Sequence, residues 1–125
     1  MGDGAASKAA FVEALRNRTQ QMALRTIRLF QQLPKTDEAR IIGRQLLRSA
    51  TSVGANYRAV CRARSKAEHY AKLCICVEEA DETLFWLELL IESAIFSKEK
   101  LQPLHQEFEE VVAILATARK SASDN

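Results

Sequence analysis

The sequence predicts an all-α fold, an antiparallel up-down-up-down four-helix bundle. Three observations lead there. Apolar residues recur at three- and four-residue steps through most of the chain. Only four glycines and two prolines occur in 125 residues, which is little material for the turns of a β-rich fold. The breakers that do occur, at Pro34, at Ser65 with Glu68, and at Ser97 with Pro103, divide the chain into four helical stretches with short connections.

The elements follow in order. Residues 1–7 are small and polar and are expected to be a disordered tail, with Ser7 available to cap the first helix. That helix is expected over about Lys8 to Leu33, where Phe11, Leu15, Met22, Thr26, Leu29 and Leu33 share one face. Leu24, Ile27 and Phe30 widen that face beyond a single stripe. Pro34 ends the helix, because the residue before a proline avoids the α conformation. Thr36 or Asp37 caps the second helix, and Glu38 suits its positive end. Its apolar face runs through Leu46, Ala50, Val53 and Tyr57, and it is expected to reach about Arg64. Gly43 and Gly54 lie inside it, each at a cost of up to about 1 kcal/mol against alanine. Small neighbours around Gly54 point to a close approach of two helices. Ser65 and Glu68 form a capping box for a third helix from Lys66 to about Phe96. The fourth is expected to be shorter and to start near Leu101, with Pro103 in its first turn. Residues 8–120 make the bundle, and residues 121–125 a second tail.

Composition sets bounds. One domain of this length buries a core without disulfides or metal. Cys61, Cys74 and Cys76 do not form an even disulfide set, there is no Cys-x-x-Cys pair, and zinc-ligand spacing is absent. All three read as reduced thiols. No apolar run has the length of a signal peptide or a membrane span, so a cytoplasmic protein is expected. A di-iron bundle needs Glu-x-x-His motifs on two helices, and the sequence has none. There is no glycine-rich phosphate loop or nucleophile elbow. The expectation is a protein with no cofactor, no metal and no enzymatic activity.

Charge is the informative feature. Residues 40–66 carry seven basic residues and no acid, whereas residues 67–112 carry three basic and eleven acidic. Arg40, Arg44, Arg48, Arg58, Arg62 and Lys66 fall within roughly 80° on the side opposite the apolar face. Three uses remain open for this stripe. It can be a solvated face. It can pair with acidic helices of the same chain, a neighbouring subunit or a partner protein. It can hold nucleic-acid phosphates, since clustered arginines release counterions on binding. The predominance of arginine suits bidentate pairing with carboxylate or phosphate. Two further features are structural in this reading. Asn56 lies mid-helix, where it can contact a ligand or nucleic acid or be a buried polar residue bonded to the third helix, at Glu82; the second reading is favoured. Leu24, Ile27 and Phe30, with Phe85 and Trp86, exceed what one bundle seam buries, so some are expected to form a subunit interface.

The segment from Arg44 to Leu90 resembles the bacterial four-helix-bundle family of proteins encoded in intervening sequences of 23S rRNA genes. The resemblance rests on Arg48 to Asn56, on Arg62 to Ser65, and on the Glu-Thr-x-x-Trp-Leu run from Glu82 to Leu87, and it extends over about residues 20–117. It implies a bundle that assembles into a ring-like homopentamer. It also implies kinship with accessory proteins of diversity-generating retroelements, which bind nucleic acid and a reverse transcriptase through a basic surface. One departure stands out: many members carry a glutamate three residues after the asparagine, where this chain has Ala59. The combined expectation is a ring-forming homo-oligomer that binds structured RNA or DNA through the second helix. The alternative is a protein–protein scaffold.

Overall fold

A computed structural model describes residues 2–124. Four helices follow one another: α1 (Gly2–Gln32), α2 (Asp37–Cys61), α3 (Lys66–Glu92) and α4 (Lys98–Ser123). Each packs on the next in the chain, with α2 against α3 the most extensive contact and α1 against α4 the least. That is the up-down-up-down bundle expected.

The core is continuous. Leu15, Met22, Leu46, Val53, Leu73, Leu87, Phe108 and Leu115 meet along the axis and are all buried. Gly54 permits the close α1–α2 approach, since a Cβ there would lie 3.4 Å from the Thr19 carbonyl oxygen on the α1 backbone. At Gly43 a Cβ would meet Leu33 Cδ1 at 2.8 Å and the Phe30 ring at 3.1 Å. Between α2 and α3 the apolar seam holds one hydroxyl pair: Thr83 Oγ1 donates to Ser49 Oγ at 2.9 Å, with both side chains buried.

Several boundaries differ from the sequence expectation. Gly2 to Ser7 continue α1, in keeping with the alanines around them, so Ser7 lies within the helix. At the other terminus α4 includes Ser121 to Ser123, while Met1 and Asn125 lie outside the described residues. α2 stops at Cys61, three residues early, because the four-residue turn to α3 begins there. Thr36 caps α2 by accepting the Ala39 N–H at 3.3 Å. Ser65 caps α3 by accepting the Glu68 N–H at 3.1 Å. The Glu68 carboxylate returns to the Arg64 N–H rather than to that of Ser65, at 3.1 Å. α3 ends at Glu92 instead of Phe96. Ala94 there takes the left-handed conformation, φ 58°, and turns Ile95 and Phe96 back onto the core. α4 is not shorter than its neighbours. It starts at Lys98, which places Pro103 beyond the first turn. Pro103 is exposed, so the backbone bond it removes lies on the wet side of the helix, where water replaces it.

Candidate nucleic-acid interface

The α2 core face is set by Leu46, Ser49, Ala50, Val53 and Tyr57, and the opposite side of the helix points away from the bundle. Arg40, Arg44, Arg48 and Arg58 are all exposed there. The other two members of the predicted stripe are not on this helix. Arg62 is the C-cap residue of α2, and Lys66 is the first residue of α3. Both are exposed, and the stripe therefore continues around the α2–α3 turn instead of along one helix.

The six cations are not equivalent. Arg48 leans across to α3, where Nη1 meets Glu79 Oε1 at 3.1 Å and Nη2 pairs with Glu82 Oε2. Its Nε donates to Gln45 at 3.3 Å. Arg40 is held locally, by the Lys35 carbonyl at 2.8 Å and by Asp37 at 3.5 Å. Among the described residues, Arg44, Arg58, Arg62 and Lys66 have no carboxylate within ion-pair distance. One third of the predicted contact set is thus committed inside the chain, and the rest projects into solvent. Sequence spacing could not separate these groups, because the choice depends on which α3 carboxylates the α2–α3 packing brings opposite position 48.

The predicted Asn56–Glu82 contact is not present. Asn56 Nδ2 donates within its own helix, to the Ser52 carbonyl and to Ser52 Oγ, both at 2.9 Å. Glu82 instead receives Arg48 and the Trp86 indole N–H, the latter at 3.0 Å. The Ser52-x-x-x-Asn56 spacing therefore has a local cause, since residues four apart stack on one helix face.

The proposed interface residues divide in the same way. Phe30 and Trp86 pack against the core, and Leu24 is half-buried. Ile27 and Phe85 are exposed, and Phe85 packs edge-on to Trp86 with ring centroids 4.9 Å apart. Sequence reasoning did not single out Ile41, which is 62% exposed. The spacing places Phe11 on the core stripe, yet it is exposed and lines an apolar groove between α1 and α4 with Ala113, Ile114 and Thr117. Farther along that seam Arg18 and Arg25 close the gap through Glu107, at 2.9 and 3.2 Å, and Arg18 also reaches Glu110 at 2.5 Å. The acidic helices are thus partly neutralised from within.

No group of three metal-ligating side chains comes together among the described residues. Burial pushes the Cys76 thiol up to about 12 and raises that of Cys61, so neither is an activated nucleophile. His105 contacts Glu88 at 2.9 Å and serves to join α3 to α4. No described helix is long and apolar enough to cross a membrane.

Fold and surface together define an all-α antiparallel bundle whose most distinctive exposed feature is cationic. Residues 14–117 match the family of 23S rRNA-intervening sequence proteins, and the chain belongs to that family. A crystal structure from Bacteroides thetaiotaomicron, described as a protein of unknown function from the S23 ribosomal protein family, is similar. It is 32% identical, with a TM-score of 0.78 over 84% of this chain and 97% of that one. No curated protein matches.

Proposed function

We propose that this protein is a non-enzymatic homo-oligomer that binds structured RNA or DNA through the cations of α2 and the α2–α3 turn. One observation carries the reading: Arg44, Arg58, Arg62 and Lys66 are exposed without a carboxylate partner among the described residues. Unpaired, exposed guanidinium and ammonium groups are ready to exchange their counterions for phosphates. Self-association is supported by Ile27, Ile41 and Phe85, which leave large apolar side chains in water on three different helices. A ring of five copies is the size that the family resemblance implies.

A second reading is favoured by Arg48. An α2 arginine here does prefer α3 carboxylates, so the remaining cations can meet acidic helices of another protein or subunit. Multi-angle light scattering of the pure protein, with and without a structured RNA, tests the proposal. An oligomer that gains the mass of RNA is expected. A monodisperse monomer at micromolar concentration refutes the assembly, and an oligomer indifferent to nucleic acid leaves the scaffold reading.

A further inference from the structure

The unpaired cations are not spread evenly along α2. Arg44 stands apart in the N-terminal half, whereas Arg58, Arg62 and Lys66 gather where α2 turns into α3, and Arg64 adds to them in the turn itself. Because the helices alternate in direction, the C-terminal turns of α4 reach the same end and bring Arg119 and Lys120. The described carboxylates at this end are few. Glu13 is held by Arg16 at 2.7 Å, Glu68 is engaged by the Arg64 N–H, and Asp124 is the C-cap residue of α4.

Tyr70 stands beside these cations. It lies one turn beyond Lys66 on the same side of α3, and it is 39% exposed. Tyr70 continues the spacing of the α3 seam, but the buried face starts only at Leu73, so the ring falls at the end of the bundle where the core no longer encloses it. The neighbouring Cys74 thiol holds the pKa of its phenol above the ordinary value. Arg119 is near enough to act in the opposite sense. The result is an exposed ring with the Lys66 ammonium one helical turn away, at the end of the bundle that the C-terminal turns of α4 also reach.

We infer that this end of the bundle holds unpaired nucleotides, with the surrounding cations on the phosphates of the strand and the Tyr70 ring stacked on a base. The inference rests on the nucleic-acid reading above and narrows it to looped or single-stranded segments. A duplex keeps its base faces stacked inside and offers this surface only phosphates, for which an aromatic ring has no use. An unpaired base presents its face, and stacking on a tyrosine works for any base.

The test measures fluorescence anisotropy of the full chain with a labelled RNA stem-loop, with the same stem as a blunt duplex, and with the DNA versions of both. Tighter binding of the stem-loop than of the duplex is expected in at least one of the two chemistries. Tyr70→Ala should weaken stem-loop binding about tenfold with duplex binding and melting temperature unchanged, and Tyr70→Phe should restore it. Equal affinity for loop and duplex, or a Tyr70→Ala variant that binds the stem-loop as the parent does, overturns the inference. If Arg58→Gln with Arg62→Gln still loses binding in that case, the broader nucleic-acid reading survives. If none of the four probes binds, both are refuted.

Discussion

Arg48 distinguishes a structural cation from a functional one more sharply than any other residue. Its guanidinium is 52% exposed, but Glu79 beneath it is only 17% exposed, and Glu79 Oε2 is buried without a hydrogen-bond partner. An exposed ion pair contributes at most about 1 kcal/mol, and that is the expected worth of the Glu82 contact. Glu79 is the costlier partner to strand. Arg48→Gln leaves a largely buried carboxylate without its cation, a loss of about 1–3 kcal/mol. For a domain of this size the melting temperature should fall by about 3–10 °C. Thermal denaturation followed by far-UV circular dichroism reads that directly. Adding Glu79→Gln to Arg48→Gln should recover most of the loss, because a neutral amide tolerates the site better than an orphaned carboxylate. Nucleic-acid affinity of the folded Arg48→Gln variant should match the parent. An unchanged melting temperature combined with an affinity loss equal to that of Arg62→Gln would refute this reasoning and return Arg48 to the phosphate-binding set.

Three further outcomes follow from the packing. Ala94→Gly should raise stability by about 0.5–1 kcal/mol, since it removes the left-handed strain of the α3 terminus while adding some unfolded-state entropy; chemical denaturation checks it. Gly54→Ala should be close to neutral, because a methyl 3.4 Å from the Thr19 carbonyl is tight but tolerable and alanine returns up to about 1 kcal/mol of helix propensity. Gly54→Val should cost about 1–3 kcal/mol by forcing α1 and α2 apart, and equal stability of the two variants would deny the close approach. Burial pushes both the Cys76 thiol, ordinarily 9.0, and the Tyr57 phenol, ordinarily 10.0, up to about 12. The unfolded chain ionises them first, so their neutral forms favour the fold below pH about 9, and stability should decline as pH rises toward 12. Urea midpoints across that range should show the decline, and Cys76→Ala should make it shallower.

The helical architecture was legible because it rests on periodicity and breakers, both local in sequence. Thr36 and Ser65 could be placed as caps for the same reason. Element ends were less legible where a single backbone conformation decides them: nothing in the residue type of Ala94 announces a left-handed turn. The site was legible as a charge pattern and not as an inventory of partners. An acid-free run from Arg40 to Lys66 is visible in the chain, but whether Arg48 faces water or Glu79 depends on the rotation of α3 against α2. Asn56 shows the same limit. Its partner is four residues away in its own helix, and the expectation of a bond to Glu82 overlooked Arg48 and Trp86 as competitors for that carboxylate. Phe11 fits the α1 periodicity, yet the α1–α4 contact is the sparsest in the bundle and Phe11 is left exposed at a groove between them.

The salt dependence of stem-loop RNA binding tests the central claim most directly. If the unpaired cations at the α2–α3 turn contact phosphates, the slope of log affinity against log salt should flatten by about 0.7–0.9 for each contact removed. Arg58→Gln with Arg62→Gln should therefore reduce the slope by about 1.4–1.8, while Arg48→Gln leaves it unchanged. A double variant with the parent's slope and affinity, its oligomer and melting temperature intact, would contradict the account and leave these arginines as a solvated face.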